Sequence, residues 1–316
     1  MLFRLPSHAP KLYDPKGKYR VWVSPWNTHF DKSFNFSELN SDNPHFEIPE
    51  STPSDIYFQG LDRLIPILQD SGKAKTVISR IIAGQTPDID WIDAAERLWT
   101  AFPDSFGYLF YTPQTGGWLG ASPEKLLTVH QPHKFSTMAL AGTLPLDRPW
   151  NVKNYEEHMM VADFIESVLI SEDIPAVIRG PQDALYGKIK HLATHFSGEL
   201  ENQKQAFRLL DSLSPTPALS GHPRVEALKE IKVIEHHERQ CYGGYICIAE
   251  GCGAEGFEFD NLYAFVTIRC AQFDPRDGRW AIYTGGGITP KSKPVEEWNE
   301  TEAKASRLLE ILQNAR

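Results

Sequence analysis

Two stretches of this chain put carboxylates at the head of an otherwise apolar helical face. Near the C-terminus, Glu297-Trp-Asn-Glu300-Thr-Glu302 follows the glycine run Thr284-Gly285-Gly286-Gly287-Ile288 and opens the last predicted helix. Glu297, Glu300, Lys304, Leu308 and Ile311 recur at i, i+3, i+4 spacing, so they share one face, charged in its first half and apolar in its second. From Lys153 the stretch KNYEEHMMVADFIESVLI repeats the pattern, with Glu157, Val161, Phe164 and Val168 on one stripe. Acids in a first helical turn also favour the positive end of the helix dipole, which accounts for either helix taken alone. Carboxylates aimed along a core-facing stripe are costly unless they hold something, and two such helices point to a shared divalent-cation site. Glu157, Glu300 and Glu297 are its candidate ligands.

Other residue types suit an anionic substrate. Arg269, read inside a strand TIRCA, can clamp a carboxylate bidentately or sit in a cross-strand ion pair. Gly285, Gly286 and Gly287 allow close backbone approach to an anion, or form a flexible turn. Lys304, one turn past Glu300, is either that glutamate's i, i+4 partner or a second carboxylate contact. Tyr242 and Tyr283 are core aromatics or pocket lining.

The totals set bounds. A chain of 316 residues, 41% hydrophobic and 23% charged, can bury a large core. A net charge of -9 argues against nucleic acid or an anionic membrane as partner. No apolar run reaches membrane-spanning length, and the opening MLFRLPSHAPKLYD lacks a signal-peptide core. Cys241, Cys247, Cys252 and Cys270 form no CxxC pair or zinc spacing, so they read as reduced thiols of a cytoplasmic protein.

The elements that must position these groups follow from periodicity and turn residues. YRVWVSP (19–25) is the clearest strand of the proline-rich stretch 1–53, and helices are predicted over 55–69 and 89–102 around a strand at 74–84. A meander follows: FGYLFYT, GWLGAS, KLLTVH and KFSTMALAG. Helix 153–170, strand 188–200, helices 201–213 and 223–233, and strands CYGGYICIAEG, YAFVTIRCAQF and RWAIYTGG lead to the last helix. Strands grouped like hairpins, with helices between groups, favour an α+β fold with mainly antiparallel sheets in a single domain, 1–316.

Ten blocks, in order, resemble the chorismate-binding enzyme family. They are KTVISR (75–80), WLGASPEKLL (118–127), LAGT (140–143), EEHMMV (156–161), HLAT (191–194), LSPTPALSGHP (213–223), YGGYI (242–246), TIRCA (267–271), YTGGGI (283–288) and EEWNETEAK (296–304). The resemblance covers 55–316 and implies the anthranilate synthase component I-like fold, with two facing, largely antiparallel sheets and outer helices. It also implies a site for Mg²⁺ and chorismate, and an N-terminal part shorter than the family usually carries. Within the family, Lys75, HLAT and the PTPALSGHP loop are similar to isochorismate synthases; salicylate synthase or aminodeoxychorismate synthase component I, the latter with a glutaminase partner, are the alternatives. The routes that consume isochorismate (menaquinone, siderophore or salicylate) are not separated by these residues.

Isochorismate formation adds water at C2 of chorismate and expels the C4 hydroxyl, which needs a base and an acid on different sides of the ring. The resemblance implies Lys75 as base, Glu124 as acid, and Glu157 and Glu300 as direct Mg²⁺ ligands with Glu297 close by. It further implies a pocket wall of Gly142, Thr143, Thr194, Ala218 and Leu219, with Tyr242, Arg269, Gly285, Gly286 and Lys304 toward the substrate. By residue type alone Lys75 is a strand lysine and Glu124 a turn glutamate beside Pro123. His191 reads as a structural histidine.

Overall fold

The computed structural model describes residues 1–13, 19–28, 34–35, 46–71, 75–186, 189–251 and 258–315. In chain order the elements are β1 (Leu2–Arg4), β2 (Lys11–Leu12), β3 (Tyr19–Ser24), β4 (Phe34–Asn35), α1 (Ser54–Ser71), β5 (Lys75–Gln85), α2 (Trp91–Ala101) and β6 (Phe106–Thr112). There follow β7 (Gly116–Ser122), β8 (Lys125–His130), β9 (Lys134–Pro145), α3 (Val152–Ser171), β10 (Val177–Tyr186), β11 (Ile189–Glu199), α4 (Gln203–Leu213) and β12 (Gly221–His222). The chain closes with α5 (Arg224–Ile234), β13 (Tyr245–Glu250), β14 (Asn261–Val266), β15 (Cys270–Phe273), β16 (Arg279–Ile288) and α6 (Pro294–Asn314). Local chemistry explains the helix starts. Asp90 accepts from Ile92 N and Asp93 N, Asn151 and Asn154 form a reciprocal cap, and Pro294 occupies the first turn of α6.

Two eight-stranded sheets result, ordered β12-β5-β16-β15-β7-β6-β1-β2 and β10-β11-β9-β8-β14-β13-β3-β4. The strand pairs of both are antiparallel, which agrees with the α+β expectation. Their facing sides interdigitate in one core that joins Tyr108, Trp118 and Tyr283 of the first sheet to Val21, Leu127 and Ile246 of the second. α3 lies on β9 and β11, while α2 and α6 cover the outer face of the first sheet through Trp280, Ile282, Leu308 and Leu312. Among the described residues no helix is long and apolar enough to cross a membrane.

Three expectations are corrected. The expected strand YAFVTIRCAQF is two strands in different sheets: β14 pairs with β8 and β13, β15 with β7 and β16. The break falls at 267–269, where Arg269 takes a positive φ of 49° that turns the chain from one sheet to the other. Residues 241–244 are a turn before β13 rather than part of it. Strand β10 was not expected; it contains Gly180-Pro181, which the structure absorbs as a register shift between Arg179 and Gln182.

The edge of β5 beyond β12 is completed by side chains. Arg239, 2% exposed, donates to both Glu235 carboxylate oxygens (2.8 and 2.6 Å), to Val77 O (2.8 Å) and to Leu219 O (2.8 Å), and lies 4.2 Å over Trp26. Glu235 in turn accepts from Ser79 N at 2.6 Å. The pair thus satisfies an exposed strand edge much as a neighbouring strand would. Arg239→Met would leave Glu235 buried without its cation, and should cost about 3–5 kcal/mol of stability. Urea denaturation measures it; a loss below about 1 kcal/mol would show that the pair does not hold the edge.

Candidate active site

Lys75 begins β5 and points between the sheets, 5% exposed. Its ammonium reaches Glu157 Oε1 of α3 at 2.7 Å, so the pair links the first sheet to the helix that covers the second. Room for the lysine comes from β16: a Cβ on Gly287 would sit 2.4 Å from Lys75 Cε and 3.0 Å from its Nζ. The glycine run is therefore not a loop. Gly285, Gly286 and Gly287 are strand residues registered opposite Ser79, Ile78 and Val77, and what they supply is an absence of side chains. A Cβ on Gly285 would meet the Tyr242 hydroxyl at 2.9 Å, and one on Gly286 would meet Glu297 Oε2 at 3.2 Å. Successive strand residues face opposite sides, so Lys75 and Tyr242 lie on the inner face of β16 and Glu297 on the outer one.

Glu124, between β7 and β8, is close enough for the Lys75 charge to act on it. Burial raises its carboxyl from 4.5 to about 7, against the opposing pull of a hydrogen bond from Thr216 and of Lys75. Thr216 Oγ1 donates to Glu124 Oε1 at 3.3 Å. The Thr216 loop is itself fixed: its carbonyl accepts from Leu219 N (2.9 Å) and Ser220 N (2.8 Å), and Ser220 O accepts from Val77 N (3.0 Å). A cation on β5 and a neutralisable acid on the β7–β8 connection are an arrangement that suits acid–base chemistry.

The remaining expected residues fall into groups. Gly142 has φ +74° and forms, with Thr143, an irregularity in the β9–β11 register; Gly142 O accepts from His191 Nδ1 at 2.9 Å. His191 is shifted down mainly by burial, with the charge of Arg269 adding to that, so Arg269 lies toward this group; its guanidinium also sits 5.2 Å over the Phe102 ring. Thr194, 4% exposed, bonds through Oγ1 to His158 Nε2 at 2.7 Å. Leu219 and Tyr242 are buried and Ala218 half-buried, and Tyr242 stacks on Tyr283 with centroids 5.6 Å apart. Lys304 is exposed on α6, pairing with Glu300 at 2.7 Å and donating to Gly285 O at 2.9 Å.

The three candidate metal ligands are spread out. Glu157 is engaged by Lys75, Glu300 is exposed and paired with Lys304, and Glu297 is 7% exposed beside Gly286. Among the described residues no three His, Cys, Asp or Glu side chains gather as a metal-holding group. Carboxylate oxygens nevertheless suit a hard cation that takes one or two protein ligands and completes its shell with water and substrate. Periodicity did not single out Thr216, His158, Glu235 or Arg239; Thr216 and His158 lie inside motif blocks, but only the fold shows what they touch.

The sequence profile of chorismate binding enzymes matches residues 26–310. The isochorismate synthase EntC of Escherichia coli K12 is 34% identical over 278 residues, covering 84% of this chain and 68% of that protein. Among solved structures, the putative 2,3-dihydroxybenzoate-specific isochorismate synthase DhbC of Bacillus anthracis superposes with TM-score 0.75 at 25% identity, covering 94% of this chain and 84% of that one. Anthranilate synthase component I of Streptococcus pneumoniae superposes with TM-score 0.70 at 19% identity, covering 85% and 62%. The fold is thus shared by enzymes with different products.

The shifted Glu124 has a consequence for stability. Its carboxyl titrates at about 7 in the folded chain and near 4.5 when unfolded, so folding favours the protonated form. Below about pH 4.5 the group costs nothing; as pH rises through about 7 the folded chain carries a buried charge worth roughly 3 kcal/mol, at about 1.36 kcal/mol per unit. Glu124→Gln cannot ionise, and should therefore be more stable than the parent at about pH 8.5 by up to that amount, with no gain near pH 4. Denaturant midpoints at both pH values test this, and an equal difference at the two would refute it.

Proposed function

Because the chain belongs to the family of chorismate binding enzymes, matched over residues 26–310, we propose that it is an isochorismate synthase acting on chorismate. The observation that carries the reading is the pairing of Lys75, ion-paired and buried, with Glu124, whose carboxyl is held to about 7. The identity to EntC over most of the chain supports the same branch.

In this reading Lys75 first releases its ammonium proton to solvent, and the neutral amine then takes a proton from water as the water oxygen bonds to C2 of the ring. The two ring double bonds each shift by one bond, and the C4–O bond breaks. Glu124 delivers its proton to the departing oxygen, which leaves as water, so atoms and charge balance once Lys75 and Glu124 exchange protons with solvent. A carboxyl near 7 is half protonated at neutral pH and suits either direction of a reversible reaction. Arg269, Lys304 and the Gly142–Thr143 irregularity are proposed to receive the substrate's anionic and hydroxyl groups, with Thr194, Ala218, Leu219, Tyr242, Gly285 and Gly286 lining the pocket. Glu157 and Glu300 are proposed to hold Mg²⁺ directly, with the buried Glu297 close by. The cation, when bound, docks the ring carboxylate and withdraws charge from the ring.

The whole chain is proposed to work as one catalytic unit without a glutaminase partner, in the cytoplasm, where the buried free thiols Cys241, Cys247 and Cys270 would stay reduced. Incubation with chorismate should give a Mg²⁺-dependent mixture containing isochorismate, without pyruvate and without dependence on ammonia. Lys75→Ala should lower the rate by about 10²–10⁴-fold. Salicylate with pyruvate, or aminated product, in chromatography with mass detection would assign a different branch.

A further inference from the structure

Within the loop PTPALSGHP, the Thr216 hydroxyl reaches the proposed acid Glu124. We propose that Thr216 is the positioning residue of the general acid: its hydroxyl holds one Glu124 oxygen and stabilises the carboxylate that appears when the proton is given away. The proposal rests on Glu124 acting as the acid.

Three observations carry it. Thr216 is 8% exposed and donates to Glu124 Oε1, so few waters compete for the contact. The loop behind it is braced from two sides, by Val77 N on Ser220 O and by Arg239 on Leu219 O, so the hydroxyl is presented from a rigid turn. Threonine's branched Cβ restricts χ1 further, which fixes the direction of the donor. At 3.3 Å the bond is long for a neutral acid and has room to shorten as negative charge grows on the acceptor. An interaction that strengthens along the reaction speeds the chemical step rather than substrate binding. The hydrogen bond also favours the ionised form, opposing the desolvation that raises the acid. Burial keeps Glu124 protonated at neutral pH, and Thr216 keeps it from becoming too weak an acid to release its proton.

Full-length protein with ¹³C-labelled glutamate side chains tests the proposal directly, with Glu124→Gln used to assign the signal. Thr216→Val should raise the Glu124 midpoint by roughly one unit, and move the corresponding limb of the kcat profile up by the same amount. It should lower kcat about tenfold at neutral pH while leaving KM nearly unchanged. Thr216→Ser should restore both midpoint and kcat. If the valine variant does not fold, Thr216→Ala gives the same comparison. An unmoved midpoint, or a serine variant that behaves like valine, overturns the proposal. Failure of the parent protein to convert chorismate would sink the catalytic reading, and the NMR titration would still decide whether Thr216 sets the acid.

Discussion

A lysine ammonium taken out of water requires a counter-charge, and here Lys75 finds it 82 residues away, in Glu157. The sheet that carries β5 and the helix α3 that covers the other sheet are thereby tied at the point where the chemistry is proposed to occur. Such a pair is poor evidence for net stability, since the cost of desolvating two charges offsets most of their attraction. Its value is positional. Removing either partner leaves a charge in a place built for two, so the arrangement is specified even where it stabilises little.

The rest of the site is arranged around that lysine. Three consecutive glycines in β16 forgo side-chain packing and accept the entropy penalty of glycine in a strand so that Lys75, Glu297 and Tyr242 can each lie against bare backbone. β5 is held by β16 on one edge and by β12 and the Arg239–Glu235 pair on the other. The same arginine braces the loop that presents Thr216 to Glu124. One buried guanidinium therefore positions both the strand that bears the proposed base and the turn that touches the proposed acid.

Much of this organisation was legible in residue order. Helices α1 to α6 and most strands follow from apolar periodicity, from caps such as Asp90 and Asn151, and from proline and glycine punctuation, all of which act within a few residues. The failures share a cause. β10 contains Gly180-Pro181 and forms through pairing with β11, which lies beyond it in the chain and accommodates the pair by a register shift. The run 263–273 looks like one strand because its apolar pattern is continuous, yet Arg269 leaves the extended region and sends the two halves to different sheets.

The candidate residues divide in the same way. Sequence alone determined which chemical groups the chain possesses and in what order, including the ten blocks that resemble its family, because identity and short spacing are properties of the chain itself. Only the tertiary structure decided which distant groups meet: Glu157 turned toward Lys75, Thr216 onto Glu124, and the glycine run lay against β5. The reason is physical. A buried charge or polar group must be satisfied by whatever the packed neighbours offer, and those neighbours come from distant parts of the chain that no local pattern can specify.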